Sequence, residues 1–207
     1  MHDIGWWNIS QQTMFVRRQR LYECWWGYSA SLANLDACDL SIPIDELKNY
    51  LIANYDARFS IPPQRFESIV ASVFKTMGYA VRVTGCSGDG GIDIILDGPG
   101  GVVIGIQVKR HKHAIKVEQI RSLTGALVLK GITRGIFVTT SSFQAGARTT
   151  ATLSAQAGIP IELVDAKRFY EALRLSRCSA DEFLSRDWPP KQLPRLRHII
   201  RYQMNSW

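Results

Sequence analysis

Three polar residues in an apolar, strand-forming stretch have side chains that could do chemistry together. Gln107 and Lys109 are two positions apart, and Asp93 precedes them across a glycine-rich turn. Carboxylate and amide or main-chain carbonyl oxygens are the hard ligands that suit Mg²⁺. A neighbouring ammonium can orient a water and stabilise charge that develops on a phosphate. The three residue types suit metal-assisted phosphodiester hydrolysis, and the spacing leaves a simple Asp93–Lys109 ion pair open as the alternative.

A β-hairpin is the element that must bring these side chains together. The turn sequence DGPGG separates the predicted strands Ile92–Leu96 and Val102–Lys109. Side chains alternate along a strand, so Gln107 and Lys109 share one face with a glycine that leaves room beside them. The opposite face is uniformly apolar and must pack in the core. Folding the hairpin places Asp93 opposite positions 105–107.

The remaining segments show apolar residues at helical or strand spacing. A hairpin followed by alternating strands and helices predicts an α/β fold with a mixed sheet flanked by helices. A helix that follows Pro62–Pro63 and ends at Gly78 is predicted from an apolar stripe of Phe66, Ile69, Val70, Val73 and Met77. The other predicted elements are a helix at Ile44–Tyr55, a strand at Tyr79–Thr84, a helix from Val117 to near Gly131 with Val128 in its apolar stripe, a strand at Arg134–Thr140, a helix at Gln144–Ala157, a strand at Ile159–Val164 and a helix at Ala166–Leu175.

Composition and charge limit the class of protein. The 207 residues are 46% hydrophobic and 21% charged, which is typical of a soluble globular chain. The net charge of +7 is concentrated in the second half, and residues 109–134 hold seven Lys and Arg against one acid. This pattern indicates an acidic partner, with nucleic acid as the first expectation. Four dispersed cysteines without CxxC spacing argue against structural zinc. Without a leader or a long apolar run, we expect a cytoplasmic protein without membrane association.

A set of short segments, in order along the chain, resembles a known nuclease family. Asp93 followed by Gln107 and Lys109 resembles the PD-(D/E)xK superfamily, in the Q-x-K variant of the Mrr-type restriction endonuclease catalytic domain. The resemblance covers about residues 44–175. It is carried by FESIV (66–70), MGY (77–79), SGDGGIDI (87–94), IQVKR (106–110), FVTTSSF (137–143) and IELVDAKRF (161–169).

The resemblance implies a role for each matching residue. Asp93 would be the metal-binding acid, Gln107 the second metal ligand where many relatives have Glu, and Val108 a carbonyl ligand. Lys109 would be the catalytic lysine, and the cofactor would be Mg²⁺, with Mn²⁺ as a substitute. Glu67 resembles the helical acid that supplements the site in some relatives. Its own pattern predicts a half-buried position, with a surface acid near a helix N-terminus as the alternative. Gln in place of Glu removes one negative charge and puts the metal affinity in doubt.

Further polar residues near these motifs have both a functional and a structural interpretation. Arg110 and Lys112 follow the hairpin directly and could contact DNA phosphates, or they could belong to a solvated loop. Ser141 and Ser142 stand between a strand and a helix, where their hydroxyls could hold a phosphate or cap the helix. Asp89 in the glycine-rich loop either supports the turn or contacts the metal site.

These observations predict a restriction-endonuclease-like domain at 44–178, a helical Trp-rich appendage at 1–43 and a basic tail at 179–207. The expected function is a metal-dependent DNA endonuclease acting on double-stranded DNA in the restriction of foreign or modified DNA. A homodimer would suit cutting of both strands. The alternatives are a repair or junction-processing nuclease, a DNA-binding module that does not cut, and a defence-complex subunit whose partner protein docks on residues 1–40.

Overall fold

The computed structural model describes residues 35–84, 91–98 and 101–176. The predicted appendage, the basic tail and Asp89 lie wholly or largely outside these ranges, so the expectations about them remain predictions.

The predicted order of helices and strands is confirmed, with one addition. A short 3₁₀ helix, Tyr55–Phe59, follows the first helix, because Asn54 leaves helical geometry with φ −128° and ψ 82° and ends that helix at Ala53 rather than at Tyr55. The elements are α1 (Ile44–Ala53), α2 (Pro63–Thr76), β1 (Ala80–Val83), β2 (Ile94–Asp97), β3 (Val103–Lys109), α3 (Val117–Leu129), β4 (Arg134–Thr139), α4 (Ala145–Gln156), β5 (Ile161–Val164) and α5 (Ala166–Leu175).

The strands form one mixed sheet in the order β1-β2-β3-β4-β5. Strand β2 is antiparallel to both of its neighbours, β1 and β3, whereas β4 lies parallel to both β3 and β5. The predicted α/β class with a mixed sheet is therefore confirmed. The carboxyl ends of β3 and β4 meet at the same edge of the sheet, which brings the loops after them together.

Helices cover both faces of this sheet. On one face α1, α2 and α5 pack a core that contains Ile106 and Val108, as the alternation along β3 predicts. The predicted stripe of α2 is confirmed for Phe66, Ile69, Val70 and Val73, which are buried. The prediction for Met77 is wrong, because that residue follows the last residue of the helix and is 40% exposed. On the other face α3 and α4 form a second core. Within α3 the prediction for Val128 is wrong, because that side chain is 57% exposed.

The sequence predicted open space beside Gly105, next to Gln107 and Lys109. That prediction is wrong, because helix α3 fills the space. A Cβ atom at Gly105 would lie 2.6 Å from Leu127 Cδ2, and one at Gly135 would lie 2.6 Å from Leu127 Cδ1. These two glycines are register partners on β3 and β4. They let the fully buried Leu127 bring α3 close to the sheet.

None of the helices in the described part of the chain is long and apolar enough to cross a membrane.

Candidate active site

Asp93 lies at an irregularity of the β2–β3 pairing. Its N–H donates to the Ile106 carbonyl at 2.8 Å, although Ile106 is already the register partner of Ile94. Two successive residues thus face one partner, which is the arrangement of a β-bulge and commonly re-aims a side chain. The bulge is the reason that β2 begins at Ile94 rather than at Ile92. The Asp93 carboxylate accepts the Val108 N–H at 2.7 Å, and the prediction that Asp93 lies opposite positions 105–107 is confirmed.

Gln107 is half-buried beside this carboxylate, on the neighbouring strand. Its Oε1 atom is buried and has no hydrogen-bond partner among the described residues. Its Nε2 atom lies beside Gly91, where an added Cβ would approach to 3.0 Å. Gly91 has φ +91°, a backbone conformation that favours glycine. The glycine that ends the loop before β2 therefore provides the space for the Gln107 amide.

Lys109 ends β3 with an exposed side chain. The ion-pair interpretation of Asp93 and Lys109 is wrong, because none of the salt bridges in the described part of the chain involves either residue. The Lys109 charge still acts on Asp93, since it lowers the pKa of that carboxyl. The ammonium is thus close enough for electrostatic influence and remains available to a ligand.

Glu67 on α2 completes the group of acids. It is half-buried, as predicted. Burial raises the pKa of Glu67, and the negative charge of Asp93 raises it further. Burial also raises the pKa of Asp93, although the Val108 N–H and Lys109 act in the opposite direction. Two carboxyl groups that both resist ionisation form a site that a cation would stabilise.

The donor set fits a hard divalent cation. Among the residues described, no three His, Cys, Asp or Glu side chains cluster. The available oxygens are those of Asp93 and Glu67, the unpartnered Oε1 of Gln107 and the main-chain carbonyl of Val108. A bound cation would satisfy the orphaned amide oxygen and offset the repulsion between the carboxylates.

The two basic residues after β3 differ in their surroundings. Arg110 is half-buried and its Nη1 donates to the Phe59 carbonyl, while its Nε is buried without a partner. Lys112 is exposed, with Nζ 6.0 Å from the Phe59 ring centroid. Only Lys112 has the free charge of a typical phosphate contact, whereas Arg110 links the end of β3 to the 3₁₀ helix. DNA contact by either residue stays a prediction.

Ser141 and Ser142 do not cap helix α4, which corrects that interpretation. The N-cap position is Gln144, without a side-chain cap. The Ser141 hydroxyl instead donates to the His113 carbonyl at 2.7 Å, and the Ser142 carbonyl accepts the Ile115 N–H at 2.8 Å. The two serines tie the loop after β4 to the loop after β3. Their predicted phosphate contact remains untested.

Two residues that sequence reasoning did not select also belong to this site. Gly91 contacts Gln107, and Thr84 donates its hydroxyl to the Ile92 carbonyl and its N–H to the Asp93 carbonyl at 2.9 Å. Their signal was weak, because a glycine and a threonine at loop ends are ordinary turn residues.

With the fold and the site described, the chain can be compared with known protein families. The family model of the Mrr catalytic domain, described as a restriction endonuclease, matches residues 59–173, more than half of the chain. The chain therefore belongs to the Mrr-type restriction endonuclease family, a group of PD-(D/E)xK nucleases, and the predicted resemblance is confirmed.

A curated relative and two solved structures are also similar. The chain is 37% identical over 95 residues to the type IV methyl-directed restriction enzyme EcoKMrr of Escherichia coli (strain K12), covering 42% of this chain and 31% of that enzyme. The chain thus spans about a third of the length of this relative. The modification-dependent restriction endonuclease AspBHI is 21% identical with a TM-score of 0.47, covering 68% of this chain and 37% of AspBHI. The MspJI restriction endonuclease, in complex with a 27-mer oligonucleotide, is 22% identical with a TM-score of 0.41, covering 70% of this chain and 34% of MspJI.

Proposed function

We propose that this protein is a metal-dependent DNA endonuclease that hydrolyses phosphodiester bonds. The observation that carries the proposal is the convergence of Asp93, Glu67 and Gln107 beside an unpaired Lys109 in a chain of the Mrr-type family. In the described part of the chain, neither the buried Oε1 of Gln107 nor the ammonium of Lys109 has the partner that a purely structural role would provide.

The proposed division of labour follows from the donor atoms. Asp93, Gln107 and the Val108 carbonyl hold Mg²⁺, for which Mn²⁺ substitutes, and Glu67 supplements them. The cation supplies Lewis acidity toward a phosphate oxygen. Lys109 orients the attacking water and stabilises the charge that builds on the phosphate as the water oxygen bonds to phosphorus and a P–O ester bond breaks. The displaced oxygen leaves with a proton.

DNA is the proposed substrate, and its backbone would lie along the loops after β3 and β4. Lys112 is exposed there, and Lys116 and Arg121, at the start of α3, are also exposed. Such contacts give affinity with little sequence readout. Because a relative is a methyl-directed restriction enzyme, we further propose that the chain acts in the restriction of modified DNA, as a homodimer where both strands are cut.

The test is cleavage of supercoiled plasmid with Mg²⁺, with Mn²⁺ and with EDTA. Wild type is expected to nick the plasmid with either metal, and Asp93→Ala and Lys109→Ala are expected to lose at least about a hundredfold in rate, the scale of losing one transition-state contact. Lys130→Ala, which removes an exposed base just after α3, is the matched control and should keep wild-type activity. Cleavage that persists in EDTA, or in Asp93→Ala, would contradict the proposed site. A methylated and an unmethylated plasmid compared side by side test the preference for modified DNA.

A further inference from the structure

The Val108 N–H near Asp93 has a hydrogen-bond partner that it would not have in a regular hairpin. The regular pattern is seen at the turn end of the hairpin, where the Gly98 N–H donates to the Val102 carbonyl at 2.8 Å. Hydrogen-bonded pairs alternate along an antiparallel ladder. Continued through the observed register, the same kind of pair would join Ile92 and Val108. In a regular ladder, therefore, the Val108 N–H would donate to the Ile92 carbonyl.

The structure shows a different partner for each of these groups. The Ile92 carbonyl accepts the hydroxyl of Thr84, the residue that follows β1. The Val108 N–H donates to Asp93 Oδ2 at 2.7 Å. The Thr84 N–H also donates to the Asp93 carbonyl at 2.9 Å, so one residue holds the main-chain carbonyls of both Ile92 and Asp93.

We infer that Thr84 is a positioning residue for Asp93: its hydroxyl holds the Ile92 carbonyl away from β3 and leaves the Val108 N–H to fix the Asp93 carboxylate. This inference rests on the proposed role of Asp93 as a metal-binding acid. A carboxylate with one oxygen fixed by a main-chain N–H presents the other oxygen in one direction, which is what a metal ligand requires.

The consequence of removing the hydroxyl follows from the competition for the Val108 N–H. Without the Thr84 hydroxyl, the Ile92 carbonyl lacks a donor, and a buried carbonyl without a partner is costly. In a ladder without the bulge, the donor opposite this carbonyl would be the Val108 N–H. The Asp93 carboxylate then loses its fixed orientation, although the β-branched side chain and the strand end are retained in Thr84→Val.

The experiment compares ¹⁵N-labelled wild type, Thr84→Val, Thr84→Ser and Thr76→Val. In metal-free protein, the Val108 amide proton shift of Thr84→Val is expected to move in the same direction as in a further reference variant, Asp93→Ala, which removes the carboxylate that accepts this N–H. The dissociation constant for Mn²⁺, followed by the electron paramagnetic resonance of free Mn²⁺, is expected to rise about tenfold or more, the usual cost of removing a group that orients a ligand. Thr84→Ser keeps the hydroxyl and should match wild type in both measurements.

Thr76→Val is the matched control. It removes a hydroxyl that donates to the Ser72 carbonyl at 2.9 Å near the other end of α2 from Glu67, so both values should stay at the wild-type level. Should Thr84→Val not fold, Thr84→Ala removes the same hydroxyl. A variant without the hydroxyl that keeps the wild-type Val108 shift and Mn²⁺ affinity overturns the inference. The Val108 shift requires neither metal nor DNA, so it tests the inference even if the wild type fails to cut plasmid, which would count against the proposed function alone.

Discussion

At the scale of single residues, the site depends on polar atoms whose partners are missing or unusual. The buried Oε1 of Gln107 has no partner, and the exposed Lys109 forms no ion pair within the described chain. Buried polar atoms are normally hydrogen-bonded, and an unpartnered one calls for an explanation. A bound cation would account for Gln107, and a bound phosphate would account for Lys109.

Gly91 offers a test of the Gln107 position. Gly91→Ala is expected to lower the free energy of unfolding by about 1–2 kcal/mol, because a left-handed backbone conformation disfavours a Cβ atom. It is also expected to reduce metal-dependent cleavage, because the new Cβ would lie 3.0 Å from Gln107 Nε2. Urea unfolding and plasmid nicking measure the two effects.

The matched control for Gly91→Ala is Gly78→Ala. Gly78 also has φ +91°, but an added Cβ there would meet no atom within 4 Å. It should show the loss of stability without the loss of cleavage. Equal cleavage by the two variants would show that the contact with Gln107 does not matter.

At the scale of elements, two glycines set how closely α3 approaches the sheet. Leu127 is fully buried between Gly105 and Gly135. A Cβ atom added at either glycine would lie 2.6 Å from the Leu127 side chain. The Leu127 side chain cannot move away from an added Cβ atom at one glycine without approaching the other glycine. Gly105→Ala is therefore expected to cost about 1–3 kcal/mol of unfolding free energy, typical of an overpacked core.

The control for this packing is Gly125→Ala, within the same helix and open around its Cβ position. It is expected to gain about 0.5–1 kcal/mol from helix propensity. Chemical unfolding measures both variants, and combining Gly105→Ala with Leu127→Ala should recover part of the cost. A Gly105→Ala protein as stable as wild type would refute the close approach.

Arg110 and Lys112, which both follow β3, are predicted to have different roles. Arg110 links β3 to the 3₁₀ helix, whereas Lys112 is exposed. Arg110→Ala leaves the Phe59 carbonyl without its donor, so a loss of about 1–3 kcal/mol in unfolding free energy is expected. Lys112→Ala should leave stability within about 0.5 kcal/mol. It should weaken DNA binding and reduce the slope of log K against log salt concentration by about 1.

Thermal unfolding and salt-dependent binding to duplex DNA, in Ca²⁺ to prevent cleavage, distinguish the two variants. The assignment fails if Lys112→Ala is the destabilised variant and Arg110→Ala only loses DNA affinity.

At the scale of the whole molecule, the acids couple folding to pH and to metal. Burial raises the pKa of both Asp93 and Glu67, so the folded state holds these protons more tightly than the unfolded state. Their contribution is therefore most favourable below the ordinary values of 3.8 and 4.5 and is lost as pH rises through the raised values. Without metal, the double variant Asp93→Asn, Glu67→Gln should gain stability relative to wild type between about pH 4 and 7.

Divalent cation should reverse this difference at neutral pH. Mg²⁺ or Mn²⁺ binds the folded state and raises the melting temperature of the wild type, whereas the double variant lacks both carboxylates and should respond little. Parallel stability curves for the two proteins across this pH range, or equal responses to metal, would show that these two acids do not form the cation site.

Much of the site follows from local sequence rules. The alternation along β3 and the DGPGG turn were enough to place Asp93 opposite positions 105–107 and to bury Ile106 and Val108, because strand period and turn length are local properties. The stripe of α2 predicted the half-buried position of Glu67. The order of elements and the mixed sheet followed from the same periodicities.

Only the tertiary structure decided which side chains meet across distant segments. The charge of Asp93 acts on Glu67, Arg110 donates to a carbonyl 51 residues away, and Leu127 fills the space beside Gly105. The bulge at Asp93 and the role of Thr84 were also visible only in the structure. A single hydroxyl that donates to a main-chain carbonyl does not change the spacing of apolar residues in the sequence. These features depend on how helices dock on a sheet, and docking is set by packing over the whole domain rather than by the spacing of residues along the chain.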